Sequence, residues 1–246
     1  MTARPYVLLS CAMSVDGCLD APGPDRLILS GSEDLDRVDE ERALSDAIMV
    51  GAGTIRRDDP RLLIRSPARR AARVAAGRPE HPAGVTLTAR GDLDPAASFF
   101  TAARTGGRAD SSGAGPPLRL VYCASPAAMA TRQRLAGLAE VADAGDPPRL
   151  PAMLADLDRR GVRRLMVEGG ARLAGQFLAG GLVDELQLVV APFFVGDPAA
   201  PRFAPPAVYP HGPQRPMALT EVRRLGPVVL LRYLLGGPGG AGGEGA

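Results

Sequence analysis

The sequence predicts an α/β fold: a mostly parallel central sheet, helices on both faces, and an antiparallel hairpin at the C-terminal end. Three observations carry this. Short apolar runs alternate with segments of helical spacing, the pattern of parallel crossover units. Several of the runs end on glycine. The last apolar stretches are separated only by Gly226-Pro227, a tight reversal.

Each element follows in order. Residues 6–13 (YVLLSCAM) read as a buried strand, closed by the turn Ser14-Val15-Asp16-Gly17. Residues 26–29 read as a second short strand. Ser32 caps a helix to about Leu44, because acidic residues crowd its first turns. Residues 47–50 (AIMV) are a buried strand ending at Gly51. The Arg- and Ala-rich stretch 65–81 is open between a solvated helix and an ordered loop. Strands follow at 84–89 and 118–123, with a flexible loop at 104–117 between them. A helix over 151–160 places Met153, Leu154 and Leu157 at helical spacing. Residues 164–168 are a strand, 171–179 a helix stopped by Gly180-Gly181, and 185–191 a strand. The hairpin pairs 218–225 with 228–235. The count is about eight strands and about four helices, in a single domain over 1–235. The Gly-rich tail 236–246 has nothing to pack and is expected to be disordered.

Composition excludes several functions. The 246 residues carry 29 basic and 27 acidic side chains, and a balance of +2 does not suit a nucleic-acid partner. Every basic residue is arginine, so Schiff-base and P-loop lysine chemistry is excluded. The apolar fraction of 46% suffices for a core, yet no stretch reaches the roughly 18 apolar residues of a membrane span. Cys11, Cys18 and Cys123 form no metal-binding pair, and His81 and His211 lie in Pro-rich loops, so a zinc site is not expected. An odd cysteine count without a signal peptide points to a reducing, cytoplasmic compartment. There is no G-x-S-x-G elbow, and the zinc-deaminase signature is absent.

Four motifs remain. Gly51-Ala52-Gly53-Thr54-Ile55-Arg56 follows a strand but has Arg56 where a dinucleotide fingerprint needs its third glycine. It is either a strand-to-loop turn or a set of backbone donors for a phosphate. Glu168-Gly169-Gly170 joins a buried strand to a helix start, which suits a pyrophosphate, or else is a glycine turn with Glu168 paired to an arginine. Asp58-Asp59-Pro60-Arg61-Leu62-Leu63-Ile64-Arg65 is a solvated charged loop, or a substrate loop in which Arg65 holds a phosphate. Ala12 to Gly17 ends a strand where ligand crevices form, or is a plain Asp turn.

The order of these motifs is more specific than any one of them. RPYVLLSCAMSVDG (4–17), SDAIMVGAGTIRRDDPRLLIR (45–65) and LMVEGGARLAGQFLAGGLVDELQLVVAPFFVG (165–196) together resemble the riboflavin-pathway pyrimidine reductase family, the reductase half of bifunctional deaminase–reductase enzymes. The resemblance implies a dihydrofolate-reductase-like, three-layer fold, NADPH as hydride donor and a homodimer. It implies a phosphorylated pyrimidine substrate, 5-amino-6-(5-phosphoribosylamino)uracil, reduced at C1′ of its ribosyl group. No nucleic acid or membrane is involved. By the same resemblance Ser10, Asp58, Leu62 and Arg65 fall on substrate-binding positions. Ala12, Ser14, Gly51, Thr54, Gly169 and Gly170 fall on the NADPH groove. Glu168 and Asp16 are the candidate catalytic, proton-handling residues. Many family members carry Lys where this chain has Ser10, and a common His is replaced by Asp39. The loop 104–117 is longer than usual, and the deaminase half is expected on another chain. These departures leave open a dihydrofolate-like or secondary-metabolite reductase on the same fold, and a non-catalytic NADPH-binding protein.

Overall fold

The structure, a computed structural model, describes residues 3–23, 27–102 and 116–236. In chain order the strands are β1 (Tyr6–Ser14), β2 (Ala47–Gly51), β3 (Ala83–Thr88), β4 (Arg119–Cys123), β5 (Glu140–Asp143), β6 (Arg164–Val167), β7 (Glu185–Ala191), β8 (Ala218–Leu225) and β9 (Val228–Leu234). The helices are α1 (Ser32–Leu44), α2 (Ala52–Asp58), α3 (Pro67–Ala75), α4 (Ser98–Thr101), α5 (Ser125–Arg134), α6 (Leu150–Arg159) and α7 (Ala171–Ala179). The described residues group into two compact units, 3–6 with 34–102 and 116–170, and 7–23 and 27–33 with 171–236.

In the first unit the strands are parallel throughout: β4 lies between β3 and β5, and β2 between β3 and β6. β2, β4 and β6 are short and mostly buried, as strands inside a parallel sheet are, whereas β5 at the end of this set is half-exposed. Ile48, Val50, Ile55, Leu62, Phe99, Phe100 and Val121 share one buried cluster. The second unit is mixed. β1 runs parallel to β7, β9 antiparallel to β7, and β8 antiparallel to β9. Val189, Ala191, Leu225, Val228 and Leu230 form its buried cluster.

The α/β class and the C-terminal antiparallel hairpin stand as expected. The strand expected at 26–29 is absent over 27–30, and Arg26 lies outside the described residues. Ile28 is exposed rather than packed, and the Asp20 side chain takes the Leu27 amide that a strand would have used. The open stretch after Arg65 resolves into α3, with Pro67 in its first turn and the Ser66 hydroxyl accepting from the Arg69 amide. Sequence patterning missed α2, α4, α5 and β5. β5 carries acidic ends on a half-exposed strand, too polar for an apolar run to be seen. Most of the loop 104–117 and the tail from 237 lie outside the described residues. No helix among the described residues is long and apolar enough to cross a membrane.

Candidate active site

In the first unit, the expected site residues cluster where parallel strands end. β2 and β6 pair with Met49 opposite Val167, and the Glu168 amide continues the ladder to the Met49 carbonyl at 2.9 Å. The two glycine motifs therefore leave the sheet side by side, at the carboxyl ends where open α/β sheets bind ligands. Gly169 and Gly170 have φ of +84° and +89°, a backbone that side chains rarely adopt. A Cβ on Gly169 would meet nothing within 4 Å, whereas one on Gly170 would stand 3.1 Å from the Thr54 hydroxyl. Thr54 lies in α2, which starts directly after Gly51. The turn thus bares its peptide groups, with a hydroxyl beside them.

Glu168 does not stand alone. Its two oxygens accept from Nε and Nη2 of Arg42, both at 2.6 Å, in a fork-to-fork pair that is mostly buried. Arg42 also donates to the Leu63 carbonyl at 3.1 Å, so one guanidinium ties the β6 exit to the loop after α2. Burial alone would lower the Arg42 pKa, but the Glu168 carboxylate outweighs it and raises it. Sequence reasoning missed Arg42. A basic residue in the last turn of a helix reads as a complement to the helix dipole, and nothing in the linear text joins positions 42 and 168.

The segment 59–66 has no regular secondary structure. Its backbone groups are met by side chains instead. Arg119 reaches the Arg61 carbonyl at 3.4 Å, His81 Nδ1 accepts from the Ile64 amide at 3.1 Å, and Arg70 donates to the Ile64 and Arg65 carbonyls. Asp39 accepts from the amides of Arg65 and Ser66. Asp59 caps the start of α4 by accepting from the amide and hydroxyl of Ser98. This is an ordered, tethered loop, not a solvated one. Asp58 closes α2 at its entry. The Arg65 guanidinium is more than half exposed, with Nη2 donating to the Leu35 carbonyl. Burial lowers the Arg119 pKa to about 10 and also lowers that of His81.

Leu62, expected at a substrate-binding position, points its side chain into the core. Its side chain is 1% exposed and belongs to the core cluster with Ile48, Ile55 and Phe99. Apolar burial holds it there, at a left-handed φ of +51° that is costly for leucine, so it anchors the loop from beneath.

The second unit holds the remaining residues. Ser10, Ala12 and Ser14 project to one face of β1 by strand periodicity. Ser10 is buried opposite Gln187 in β7, which donates to Glu185. Ala12 packs against the Val189–Ala191 cluster. Ser14 is fully buried; its hydroxyl donates to Asp16 at 2.5 Å and accepts from the Cys18 amide at 3.0 Å, so that side chain does not line a groove. Asp16 accepts from that hydroxyl and from the amides of Gly196 and Val195, which together hold its carboxyl far below the usual carboxylate range. A carboxylate so held has no proton to give at neutral pH; it fastens the 193–196 loop to the end of β1.

Comparison with known proteins agrees with this architecture. The RibD C-terminal domain family matches residues 5–231. The 2,5-diamino-6-ribosylamino-4(3H)-pyrimidinone 5′-phosphate reductase of Archaeoglobus fulgidus is 37% identical over 200 residues, 80% of this chain and 85% of that protein. The protein of that name in Methanothermobacter thermautotrophicus is 37% identical over 196 residues, 78% and 80% of the two chains. Acinetobacter baumannii RibD superposes with a TM-score of 0.73 at 25% identity, covering 94% of this chain and 58% of that one. These matches, with the sheet and the strand-end glycine turns, make the chain a member of the RibD C-terminal domain family of riboflavin-biosynthesis reductases.

Proposed function

We propose that this chain reduces a 5′-phosphorylated ribosylaminopyrimidine at C1′ of the sugar, with NADPH as donor. The bared turn Gly169-Gly170 beside Thr54, next to the Gly51 exit, is the observation that carries the cofactor reading. It leaves open the space that side chains would fill, which is what close approach of a pyrophosphate backbone requires. NADPH, when bound, would supply the hydride. The donor set offers no lysine, so arginines and backbone amides would hold its phosphates.

On the substrate side, Asp58 and Arg65 occupy the two ends of the tethered loop, and Arg65 offers an exposed guanidinium for the 5′-phosphate. The sugar reacts as its open-chain imine: C1′ gains the hydride, the C=N bond becomes a single bond, and the nitrogen takes a proton. Water supplies that proton in this reading, because Asp16 is held ionised and both oxygens of Glu168 are already engaged by Arg42. Glu168 acts by orienting the turn after β6. Alignment of donor and acceptor supplies most of the rate.

The names of the two 37%-identical relatives favour the 2,5-diamino-6-ribosylamino-pyrimidinone 5′-phosphate. The deaminated 5-amino-6-(5-phosphoribosylamino)uracil, the substrate the family resemblance implies, is the second reading. Loss of NADPH absorbance with purified protein and each pyrimidine, beside dihydrofolate, separates them. Oxidation with neither pyrimidine, while NADPH still binds, refutes the reaction. The proposal includes a homodimer, read by light scattering, and a cytoplasmic location.

A further inference from the structure

We propose that Asp39 is a positioning residue for the substrate's 5′-phosphate, acting through the backbone of Arg65 and Ser66; the inference rests on the function proposed above. Asp39 lies in α1 and is 2% exposed. One carboxylate oxygen accepts from the Arg65 amide at 2.5 Å, the other from the Ser66 amide at 3.1 Å. The second oxygen also accepts from Arg69 Nη1 at 3.1 Å, and Arg69 is itself paired with Asp36. The Arg65 guanidinium lies along the same helix: its Nε is 3.7 Å from Asp39 and its Nη2 donates to Leu35.

The chemistry of this contact is specific to a carboxylate. Two consecutive amides and a guanidinium converge on one group, so it must accept at least three hydrogen bonds and donate none. Ionised aspartate does this. A neutral histidine has one acceptor, and an asparagine would turn its NH2 toward an N–H donor. Residues 65 and 66 stand at the junction of irregular loop and α3, where no ladder fixes the chain. Asp39 holds the amides of residues 65 and 66, and with Arg70 on the Arg65 carbonyl it sets the direction in which Arg65 leaves the backbone. A bidentate phosphate contact depends on that direction.

The test compares wild type and Asp39→Asn in the full chain, with the phosphorylated pyrimidine and its dephosphorylated ribosylamino analogue. The expected result is a KM for the phosphorylated substrate raised about tenfold with kcat nearly unchanged, the pattern of lost uniform binding. KM for the analogue stays the same. Equal changes for both substrates, or a loss confined to kcat, overturn the proposal. Calorimetric titration with ribose 5-phosphate against ribose separates this from failure of the reaction itself. Wild type should bind the phosphate ester about tenfold more tightly than Asp39→Asn does, whether or not turnover is seen. Equal binding by both proteins, or no binding by wild type, overturns it. Amide exchange at Arg65 and Ser66, faster in the variant with the rest of α3 unchanged, shows that the loop and not the whole fold has loosened.

Discussion

Alanine substitution at Gly169 and Gly170 should give unequal results, and the difference can be worked from the structure. Both positions have φ near +85°, so each alanine carries a backbone penalty of roughly 1–2 kcal/mol. At Gly169 that is the whole intramolecular cost, because a Cβ there meets nothing within 4 Å. At Gly170 the Cβ also presses on the Thr54 hydroxyl at 3.1 Å, which adds about 1 kcal/mol of overpacking. Gly170→Ala should therefore cost about 2–3 kcal/mol and Gly169→Ala about 1–2 kcal/mol. Thr54→Ala should recover about 1 kcal/mol in the Gly170→Ala background and nothing in the Gly169→Ala background. Urea unfolding of wild type, Thr54→Ala, the two single glycine variants and the two double variants measures this cycle. The same proteins titrated with NADPH report on function. If bare peptide groups approach the cofactor, both alanines weaken binding by about tenfold or more, corresponding to roughly 1.4 kcal/mol. Equal stability losses with no rescue by Thr54→Ala would refute the packing argument. Unchanged NADPH affinity in both alanine variants would sink the cofactor assignment.

Other outcomes follow from the loop and its ties. Glu168→Gln leaves Arg42 without its carboxylate in a mostly buried setting and should cost about 3 kcal/mol in urea unfolding; Arg42→Met with Glu168→Leu should cost less than Glu168→Gln alone. Leu62→Ala opens a cavity under the loop and should cost about 2–4 kcal/mol, with no relief from the left-handed backbone because alanine shares that penalty. His81 accepts from Ile64 only when neutral, and burial lowers its pKa in the folded protein. The unfolded chain therefore takes up the proton first: the His81 contribution is complete above about pH 6.5 and declines as pH falls through that value, levelling off below the folded pKa. Urea midpoints measured from pH 8 to pH 5 should show this slope in wild type and lose it in His81→Gln.

Much of the architecture was legible in the text. α1, α7, β7 and the closing hairpin lie almost where the residue pattern puts them. α7 and β7 bury apolar faces, α7 stops at Gly180-Gly181 and the hairpin turns at Gly226-Pro227, whereas α1 is marked by its acidic first turns and not by an apolar face. β5 and α5 were not legible, since a half-exposed strand and a helix of small and polar residues leave little hydrophobic pattern. The partners of the charged residues in the motifs come from far along the chain. Glu168 has its arginine, 126 residues away in sequence, and Asp16 closes a turn and a loop 180 residues on.

Residue order by itself determined the α/β class, the positions of the glycine turns at strand ends, the absence of lysine chemistry and the resemblance to the reductase family. Those features are local: strand and helix periods, glycine at bends, and residue types are written in neighbouring positions. Only the tertiary structure decided which side chains are spent. It turned Leu62 inward, closed Ser14 and Asp16 on each other, joined Arg42 to Glu168 and Leu63, and set Asp39 beneath Arg65 and Ser66. The physical reason is that an irregular segment must find partners for its buried backbone groups, and those partners come from wherever the fold brings a side chain near.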